Sequence, residues 1–361
     1  MAEQVDVVVV GGGPAGLSTA GALSKLGRRA VVLERDRRIG TRWESRYERL
    51  HLHTARRFSG LAHYPIERCD GRYPSKDAFA RYLRDYADHF GLDVRTGVDV
   101  NAVRPHDGGW DVAAPARSWI ARAVVIATGL HDEPVLPDWP GRTDYRGRLL
   151  HSSEFRSAPG LIGGRVLVVG LGNSGAEIAA ELAQDGAREV DVAVRTPPPI
   201  AHREILGVPI QLFGIALAGF PVGGIDRVAG LVRRASVGDL GQYGLGASAW
   251  GPFEAKRPPV IDVGFLQELK RRRIIVRPAL ARLSGNGAVF ADGTENSYAA
   301  IIAATGFRPG SSRYLDAELL GRPGLYSVGF GESVRGALFE INRESRVVAR
   351  ELSAYLERTG G

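Results

Sequence analysis

The stretch of sequence that decides the fold is Val5 to Arg35, which reads VDVVVVGGGPAGLSTAGALSKLGRRAVVLER. It opens with an uninterrupted β-branched run, Val7 to Val10, which is typical of a strand buried on both faces of a parallel sheet. Apolar residues at helical spacing follow from Leu17 to Leu26, and a second strand-like run covers Ala30 to Leu33. The order of strand, helix and strand predicts a βαβ unit.

A glycine motif, Gly-x-Gly-x-x-Gly, joins the first predicted strand to the helix. Gly11 permits a tight turn, Gly13 lets the backbone approach a pyrophosphate, and Gly16 allows the helix to pack closely on the sheet. The helix N-terminus supplies N–H groups and a positive dipole end for the phosphates. Glu34 ends the second strand and is placed to accept a hydrogen bond from a ribose hydroxyl. The predicted first cofactor site comprises Gly11, Gly13, Pro14, Ala15, Gly16, Glu34 and Arg35.

A second set of glycines, Gly170, Gly172 and Gly175, begins 159 residues after the first. It follows a predicted strand, Val166 to Val169, and precedes a predicted helix and the strand Val190 to Val194. Two such βαβ units predict two dinucleotide sites in one chain. The predicted second cofactor site comprises Gly170, Gly172, Asn173, Ser174, Gly175, Arg195 and Thr196.

The two units differ in the residue that ends their second strand. Glu34 suits an unmodified ribose, as in FAD, and would repel a 2′-phosphate. Arg195, followed by Thr196, can hold a 2′-phosphate through charge-assisted hydrogen bonds. We therefore predict FAD at the first unit and NADPH at the second. For Arg195 an ordinary surface charge is the alternative.

The loop after Glu34 carries aromatic and histidine side chains beside the first site. Loops next to a cofactor often carry chemistry, although an irregular surface loop is the alternative here. Two predicted strands also end in the same small-residue turn, Ala-Thr-Gly. The remaining predicted cofactor residues are Trp43, His53, Val100, Ala127, Thr128, Gly129, Ala304, Thr305 and Gly306.

Length and composition limit the classes of protein to which this chain can belong. With 361 residues, 44% of them hydrophobic, the chain can form two globular domains with full cores. Its one cysteine, Cys69, excludes a disulfide framework and a CxxC redox pair. The net charge of +7 comes from arginines spread along the chain, and no recognition motif accompanies it. We therefore expect no nucleic-acid partner.

The chain also lacks the patterns of targeting and membrane segments. Met1 to Gln4 leads straight into the first predicted strand, without the pattern of a signal peptide. The longest apolar stretch, Ile205 to Ile225, is interrupted by proline and glycine, so a core or substrate-pocket helix is favoured over a membrane span. A membrane-surface patch is the alternative for this stretch. We expect a cytoplasmic protein without membrane association.

The predicted fold class is α/β, with two dinucleotide-binding Rossmann-like domains. The NADPH domain, residues 156–305, is inserted into a discontinuous FAD domain, residues 1–155 and 306–361. An apolar helical insertion at about 201–260 is predicted to form the substrate pocket. A strand that ends in a glycine, Gly324 to Gly329, and a last helix complete the first domain.

These motifs together resemble the flavin-containing monooxygenases, most closely the plant YUCCA-type branch and its bacterial relatives. The matching segments include both glycine motifs, the Trp43 loop with YERLHLH, the helix start YPSKDAF and both Ala-Thr-Gly turns. The stretch Tyr145-x-Gly147-x-x-x-His151-x-x-x-Phe155 is similar to the family's linking fingerprint, FxGxxxHxxxY/F, with tyrosine in place of the first phenylalanine. The resemblance extends from residue 5 to about 330.

Two departures narrow the resemblance. Phe155 is followed by Arg156, whereas Baeyer–Villiger enzymes are expected to carry Trp-Pro or Trp-Asp at this point. Many N- and S-oxygenating members have an asparagine at the position of His53, whereas the YUCCA-type branch has a histidine there, as this chain does.

The resemblance implies a monooxygenase that uses FAD, NADPH and O₂. Reduced FAD would capture O₂ as a C4a-(hydro)peroxyflavin and oxygenate a small organic substrate, without a metal. The reaction is N- or S-oxygenation, or oxidative decarboxylation of a 2-oxo acid such as indole-3-pyruvate. His53 is the candidate catalytic residue, facing the flavin. An NADPH-dependent flavin reductase and a non-catalytic NADPH sensor remain as alternatives, and a homodimer is left open.

Overall fold

The computed structural model describes residues 2–187, 189–219 and 222–359. Two sheets organise these residues. The first has seven strands and draws them from both ends of the chain. Across the sheet they are Asp93–Thr96, Val31–Glu34, Glu3–Val10, Arg117–Ile126, Gly109–Ala114 and Ala102–His106, and Leu325–Ser327 pairs with the end of Arg117–Ile126.

The central strand of the first sheet, Glu3–Val10, is parallel to both of its neighbours. Val7, Val8 and Val9 are fully buried, because helices cover the face that contains Val7 and Val9, while side chains such as Trp119 and Leu319 cover the face that contains Val8. The prediction of a doubly covered parallel strand is therefore confirmed.

The second sheet has five parallel strands. In order they are Ile274–Arg277, Glu189–Ala193, Arg165–Val169, Ala300–Ala303 and Arg148–His151. The strand Arg148–His151 lies in this sheet, although the predicted first domain extended to residue 155. The division into two domains stays a prediction, and the strand pairing favours a boundary before Arg148.

Helices and short strands fill the layers around the two sheets. The helices are α1 (Pro14–Lys25), α2 (Thr41–Glu44), α3 (Lys76–His89), α4 (Asn173–Gln184), α5 (Ile210–Leu217), α6 (Val222–Val237), α7 (Phe265–Lys270) and α8 (Ala337–Thr359). The short strand pairs are Ile200–His202 with Val260–Asp262, Glu204–Ile205 with Val208–Pro209, and Phe307–Arg308 with Glu133–Pro134. A small antiparallel sheet contains Leu280–Ser284, Gly287–Phe290 and Glu295–Ser297.

Helix α3 shows how local sequence sets an element boundary. The Ser75 side chain accepts a hydrogen bond from the Ala78 N–H at 3.2 Å and so caps the helix. Its apolar stripe, with Phe79 and Tyr86, is buried against α1 and the first sheet. Aromatic residues at this spacing predict a structural helix, and the buried stripe agrees with that prediction.

Two sequence predictions differ from the structure. The β-branched residues at 98–103 predict a strand. The strand begins only at Ala102, because the chain turns at Gly97 and Val98 donates its N–H to the Glu34 carbonyl outside the ladder. The apolar stretch Ile205 to Ile225 is not a single helix: Gly207 lies in the turn of a two-strand hairpin, and Leu206 at that turn is 99% exposed. Within the described residues, no helix combines the length and apolarity needed to cross a membrane.

Candidate cofactor and substrate site

A cavity of about 1680 Å³ connects the first glycine turn, the Trp43 loop, the start of α4 and the insertion that contains α5 and α6. Most predicted residues of the first site line this cavity. The predicted residues in its wall are Gly11, Gly13, Pro14, Ala15, Glu34, Arg35, Trp43, His53, Val100, Ala127, Thr128, Gly129, Asn173 and Ser174. The predicted residues outside its wall are Gly16, Gly170, Gly172, Gly175, Arg195, Thr196, Ala304, Thr305 and Gly306.

The three glycines of the first turn have different surroundings. Gly11 has φ of +110°, and a Cβ there would lie 2.7 Å from the Ala127 carbonyl oxygen. A Cβ on Gly16 would lie 1.8 Å from the Gly11 carbonyl oxygen, so the helix could not approach the turn. Around Gly13, in contrast, no atom lies within 4 Å of a Cβ. This open position beside the cavity fits a pyrophosphate group.

The Glu34 carboxylate is held in place by the backbone. Its Oε2 accepts the Gly12 N–H at 2.7 Å, and its Oε1 accepts the Asp36 N–H at 2.8 Å. Burial raises the pKa of Glu34, and the two N–H groups oppose that effect. Each carboxylate oxygen keeps further lone-pair capacity, so the position fits a ribose hydroxyl.

Arg35 lines the cavity, but its guanidinium is engaged by a carboxylate. Arg35 lies 2.5 Å from Asp132, whose side chain also pairs with Arg42 at 3.0 Å and Arg313 at 3.1 Å. The Asp132 side chain is largely buried, so these pairs fix the wall of the cavity at this point. A cofactor contact for Arg35 stays a prediction.

The second glycine turn repeats the geometry of the first. Gly170 has φ of +103°, and a Cβ there would lie 2.6 Å from the Ala304 carbonyl oxygen. A Cβ on Gly175 would meet the Gly170 carbonyl oxygen at 2.1 Å, whereas Gly172 is open. Arg195 lies two residues beyond the strand Glu189–Ala193 and is exposed. Among the described residues, no carboxylate lies within 4.0 Å of its guanidinium.

His53 contacts a residue that sequence reasoning missed. Its Nε2 lies 2.8 Å from Oε1 of Glu177, which lies in the second turn of α4, after the second glycine turn. Both side chains are largely buried, and Nδ1 of His53 has no hydrogen-bond partner among the described residues. Burial and the Glu177 carboxylate raise the pKa of the adjacent Tyr47 hydroxyl. No local signal in the sequence pointed to Glu177, because its neighbours on the same helix face include the polar residues Asn173, Ser174 and Glu181.

The stretch resembling the family's linking fingerprint has a structural role. His151 Nε2 donates to the Gly306 carbonyl at 3.0 Å, and its Nδ1 accepts the Ser153 N–H at 3.1 Å. Burial lowers the pKa of His151, consistent with this neutral tautomer. The Tyr145 hydroxyl donates to the Tyr298 carbonyl at 2.9 Å and occupies the space that a Cβ on Gly147 would need. These contacts hold the second Ala-Thr-Gly turn in place.

The fold and the two glycine turns define a two-dinucleotide oxidoreductase. A family model described as "Pyridine nucleotide-disulphide oxidoreductase" matches residues 8–204. The chain has one cysteine, so it shares the nucleotide-binding fold of this family and not a dithiol. Among the described residues, no cluster of three or more His, Cys, Asp or Glu side chains is arranged to hold a metal ion.

Comparison with individual proteins narrows the class. Indole-3-pyruvate monooxygenase YUCCA1 from Oryza sativa subsp. japonica is 38% identical over 342 residues, with 91% of this chain and 84% of the relative covered. The structure of a flavin-containing monooxygenase from Stenotrophomonas maltophilia is similar with a TM-score of 0.75, 26% identity, and 98% and 99% of the two chains covered. A complex of OTEMO with FAD and NADP has a TM-score of 0.75 at 19% identity, over 100% of this chain and 87% of the other, which shows the fold alone.

The chain belongs to the flavin monooxygenase family that includes the YUCCA enzymes. The predicted family, the α/β fold class and the monooxygenase class are therefore confirmed. The predicted pair of cofactors, FAD and NADPH, agrees with a flavin monooxygenase of a pyridine-nucleotide family.

Proposed function

We propose that this chain is an FAD- and NADPH-dependent monooxygenase that oxidatively decarboxylates an aromatic 2-oxo acid such as indole-3-pyruvate. In this reaction the bond between the carbonyl carbon and the carboxylate breaks, and one oxygen atom of O₂ adds to the carbonyl carbon. The other oxygen atom leaves as water, with the hydride of NADPH and a proton. The observation that carries the proposal is the single cavity that joins the first glycine turn, His53 and the apolar insertion.

The two glycine turns are assigned to the two cofactors by their shape and charge. The open space at Gly13 and the anchored Glu34 carboxylate suit the pyrophosphate and ribose of FAD. The open space at Gly172 suits the pyrophosphate of NADPH, and the free guanidinium of Arg195 suits its 2′-phosphate. When bound, the flavin supplies the chemistry that passes electrons from NADPH to O₂ and one oxygen atom to the substrate.

The residues of the chain enclose the reacting groups and orient them. The insertion contributes apolar walls, including Phe213, Leu217 and Phe253, which exclude water from the reacting groups. His53 Nε2 lies 2.8 Å from Glu177 Oε1, so this contact positions the imidazole in the cavity wall. Nδ1 of His53 remains able to hydrogen-bond a group in the cavity.

The names of relatives support this choice of substrate, since YUCCA1 from rice is named for indole-3-pyruvate. The test is a reaction of the NADPH-reduced holoenzyme with ¹⁸O₂ and indole-3-pyruvate. We expect one ¹⁸O atom in the indole acid product and one CO₂ for each NADPH consumed. Mass spectrometry and CO₂ trapping measure both quantities.

Each alternative has its own outcome in this test. Rapid NADPH oxidation without labelled product would identify a flavin reductase, and failure to oxidise NADPH would identify a sensor. Labelled N- or S-oxides from amines or thioethers, with an unreacted 2-oxo acid, would retain the monooxygenase and refute the proposed reaction type.

A further inference from the structure

The arginines that line the cavity fall into two groups by their partners. Seven of them have a place in its wall: Arg35, Arg38, Arg42, Arg46, Arg227, Arg233 and Arg313. Four of these pair with carboxylates, three of them with Asp132 and one with Glu44. Among the described residues, the other three have no carboxylate within 4.0 Å. A cation left without a partner in a cavity wall is suited to an anionic ligand.

The three unpaired arginines occupy different places. Arg46 belongs to the Trp43 loop, and its guanidinium lies over the Phe307 ring at 4.8 Å from the centroid, on the cofactor side of the cavity. Arg227 is exposed to solvent. Arg233 is half-buried on α6, inside the insertion. Burial lowers the pKa of the Arg233 guanidinium, and no neighbouring carboxylate offsets that effect.

Arg233 lies on the face of α6 that borders the cavity. Ile225, Ala229, Val232 and Ser236 line the cavity at the same helical spacing, so the guanidinium emerges from a mostly apolar face. The opposite walls are also apolar or aromatic, with Leu217, Trp250, Phe253, Pro258 and Pro259 among them. A ligand in this part of the cavity therefore meets a largely apolar wall with two guanidiniums that are unpaired among the described residues, the exposed Arg227 and the half-buried Arg233. The wall also contains the carboxylates of Asp226 and Glu254, and the Asp226 oxygens accept the N–H groups of Phe253 and Glu254.

The end of α6 is anchored next to this charge. His202 Nε2 lies 3.3 Å from the Ser236 carbonyl oxygen, one helical turn after Arg233, and His202 Nδ1 lies 3.2 Å from Asp262. Asp262 also accepts the N–H groups of Gly264 and Leu266 at the start of α7. The Asp262 carboxylate is thus committed elsewhere, and it does not neutralise Arg233.

We propose that Arg233 binds the carboxylate of the substrate and selects apolar organic anions over neutral molecules of the same shape. The choice of a 2-oxo acid as the reacting substrate rests on the proposed function, but the anion site itself does not. A nucleotide phosphate is a less suitable ligand for Arg233. The glycine turns supply N–H groups for phosphates, and Arg195 is the cation at the end of the second unit's strand.

The test is equilibrium binding to the oxidised holoenzyme with NADP⁺, measured by isothermal titration calorimetry. The probes are indole-3-acetate and indole-3-acetamide, which have the same shape and differ in charge. We expect Arg233→Gln to weaken the binding of indole-3-acetate roughly ten- to hundredfold, because a charge-assisted hydrogen bond is lost. The binding of indole-3-acetamide should change less than about twofold. Arg234→Gln, the exposed neighbour outside the cavity wall, is the matched control and should bind both probes as the parent does.

Further measurements separate this proposal from its alternatives. Arg233→Lys should keep part of the preference for the acid, and flavin absorbance reports whether each variant is folded. The anion site would be refuted if Arg233→Gln weakened the binding of indole-3-acetate and indole-3-acetamide equally. It would also be refuted if this variant bound NADP⁺ more weakly and indole-3-acetate as the parent does. If the parent protein decarboxylates no 2-oxo acid but Arg233→Gln still loses acetate affinity, the proposed function fails and the anion site stands.

Discussion

The two glycine turns, each directly after a central strand of its sheet, are built by the same backbone contacts. The Gly11 N–H donates to the Leu33 carbonyl at 2.8 Å, and the Gly170 N–H donates to the Ala193 carbonyl at 2.9 Å. In both turns the third glycine abuts the carbonyl of the first, and the middle glycine is open. The two turns therefore offer the same cradle to a pyrophosphate.

The difference between the turns lies beyond the backbone. In the first unit Glu34 is half-buried and bonded to two N–H groups, so a negative charge faces the nucleotide. In the second unit Arg195 is exposed beyond the end of its strand. We propose from this comparison that the backbone turn binds the pyrophosphate of a dinucleotide, and that the side chain at the strand end selects which dinucleotide binds.

The largest expected effect comes from the third glycine of either turn. Gly16→Ala and Gly175→Ala place a Cβ at 1.8 and 2.1 Å from a carbonyl oxygen, so the helix must move away from the sheet. We expect a loss of about 3 kcal/mol in stability, or roughly 6–12 °C in the apoprotein's unfolding midpoint. Gly13→Ala and Gly172→Ala are the matched controls, since their positions are open and have negative φ. Equal midpoints in all four variants would refute the distinction.

Substitution of the middle glycine in each turn should impair the binding of one cofactor and leave the other bound. Gly13→Val fills the open space of the first turn and should remove FAD, while Gly172→Val should keep FAD and lose NADPH binding. Flavin absorbance after gel filtration gives FAD occupancy, and NADP⁺ titration gives the second affinity. Full FAD occupancy in Gly13→Val would show that the first turn has been assigned to the wrong cofactor.

Arg195 tests the charge that distinguishes the turns. Arg195→Ala should weaken NADPH binding by about 1.5–3 kcal/mol, or roughly ten- to hundredfold, through the lost charge-assisted contact. NADH lacks the 2′-phosphate, so its KM should change less than about twofold and serves as the internal control. Stopped-flow reduction of the flavin with each nucleotide measures both effects. A parallel loss with NADPH and NADH would leave Arg195 as a surface charge.

The smallest expected effect concerns the contact between His53 and Glu177. His53→Ala and Glu177→Gln should leave FAD binding and flavin reduction nearly intact but release roughly two- to tenfold more hydrogen peroxide per NADPH. If the pair acts as a unit, the double variant should be no worse than either single variant.

Glu181→Gln is the matched control for Glu177→Gln, because it is another glutamate of α4, one turn further along, whereas His53 lies against Glu177. Burial raises the pKa of Glu181 to about 7, so glutamine resembles its protonated form. Coupling should be unchanged in this control. If His53→Ala also couples normally, His53 has a packing role and is not a catalytic residue.

Local patterns allowed much of the fold to be predicted. The strands Glu3–Val10 and Arg165–Val169 and the glycine turns after them follow from neighbours in the chain. The stretch at 98–103 was predicted wrongly, because its β-branched residues could not reveal that Val98 would bond to Glu34 outside a ladder. Propensity describes a residue's preference, whereas pairing depends on a partner far along the chain.

The sequence by itself determined the two glycine turns, their order and the opposite charges of Glu34 and Arg195, because these depend on short spacings. Only the tertiary structure brought His53 to Glu177, 124 residues apart, and left Arg233 without a carboxylate in a cavity wall. Spacing along the chain fixes backbone turns and helix faces within a few residues. The distance between charges from separate elements depends instead on how the sheets and the insertion pack, and no local pattern records that packing.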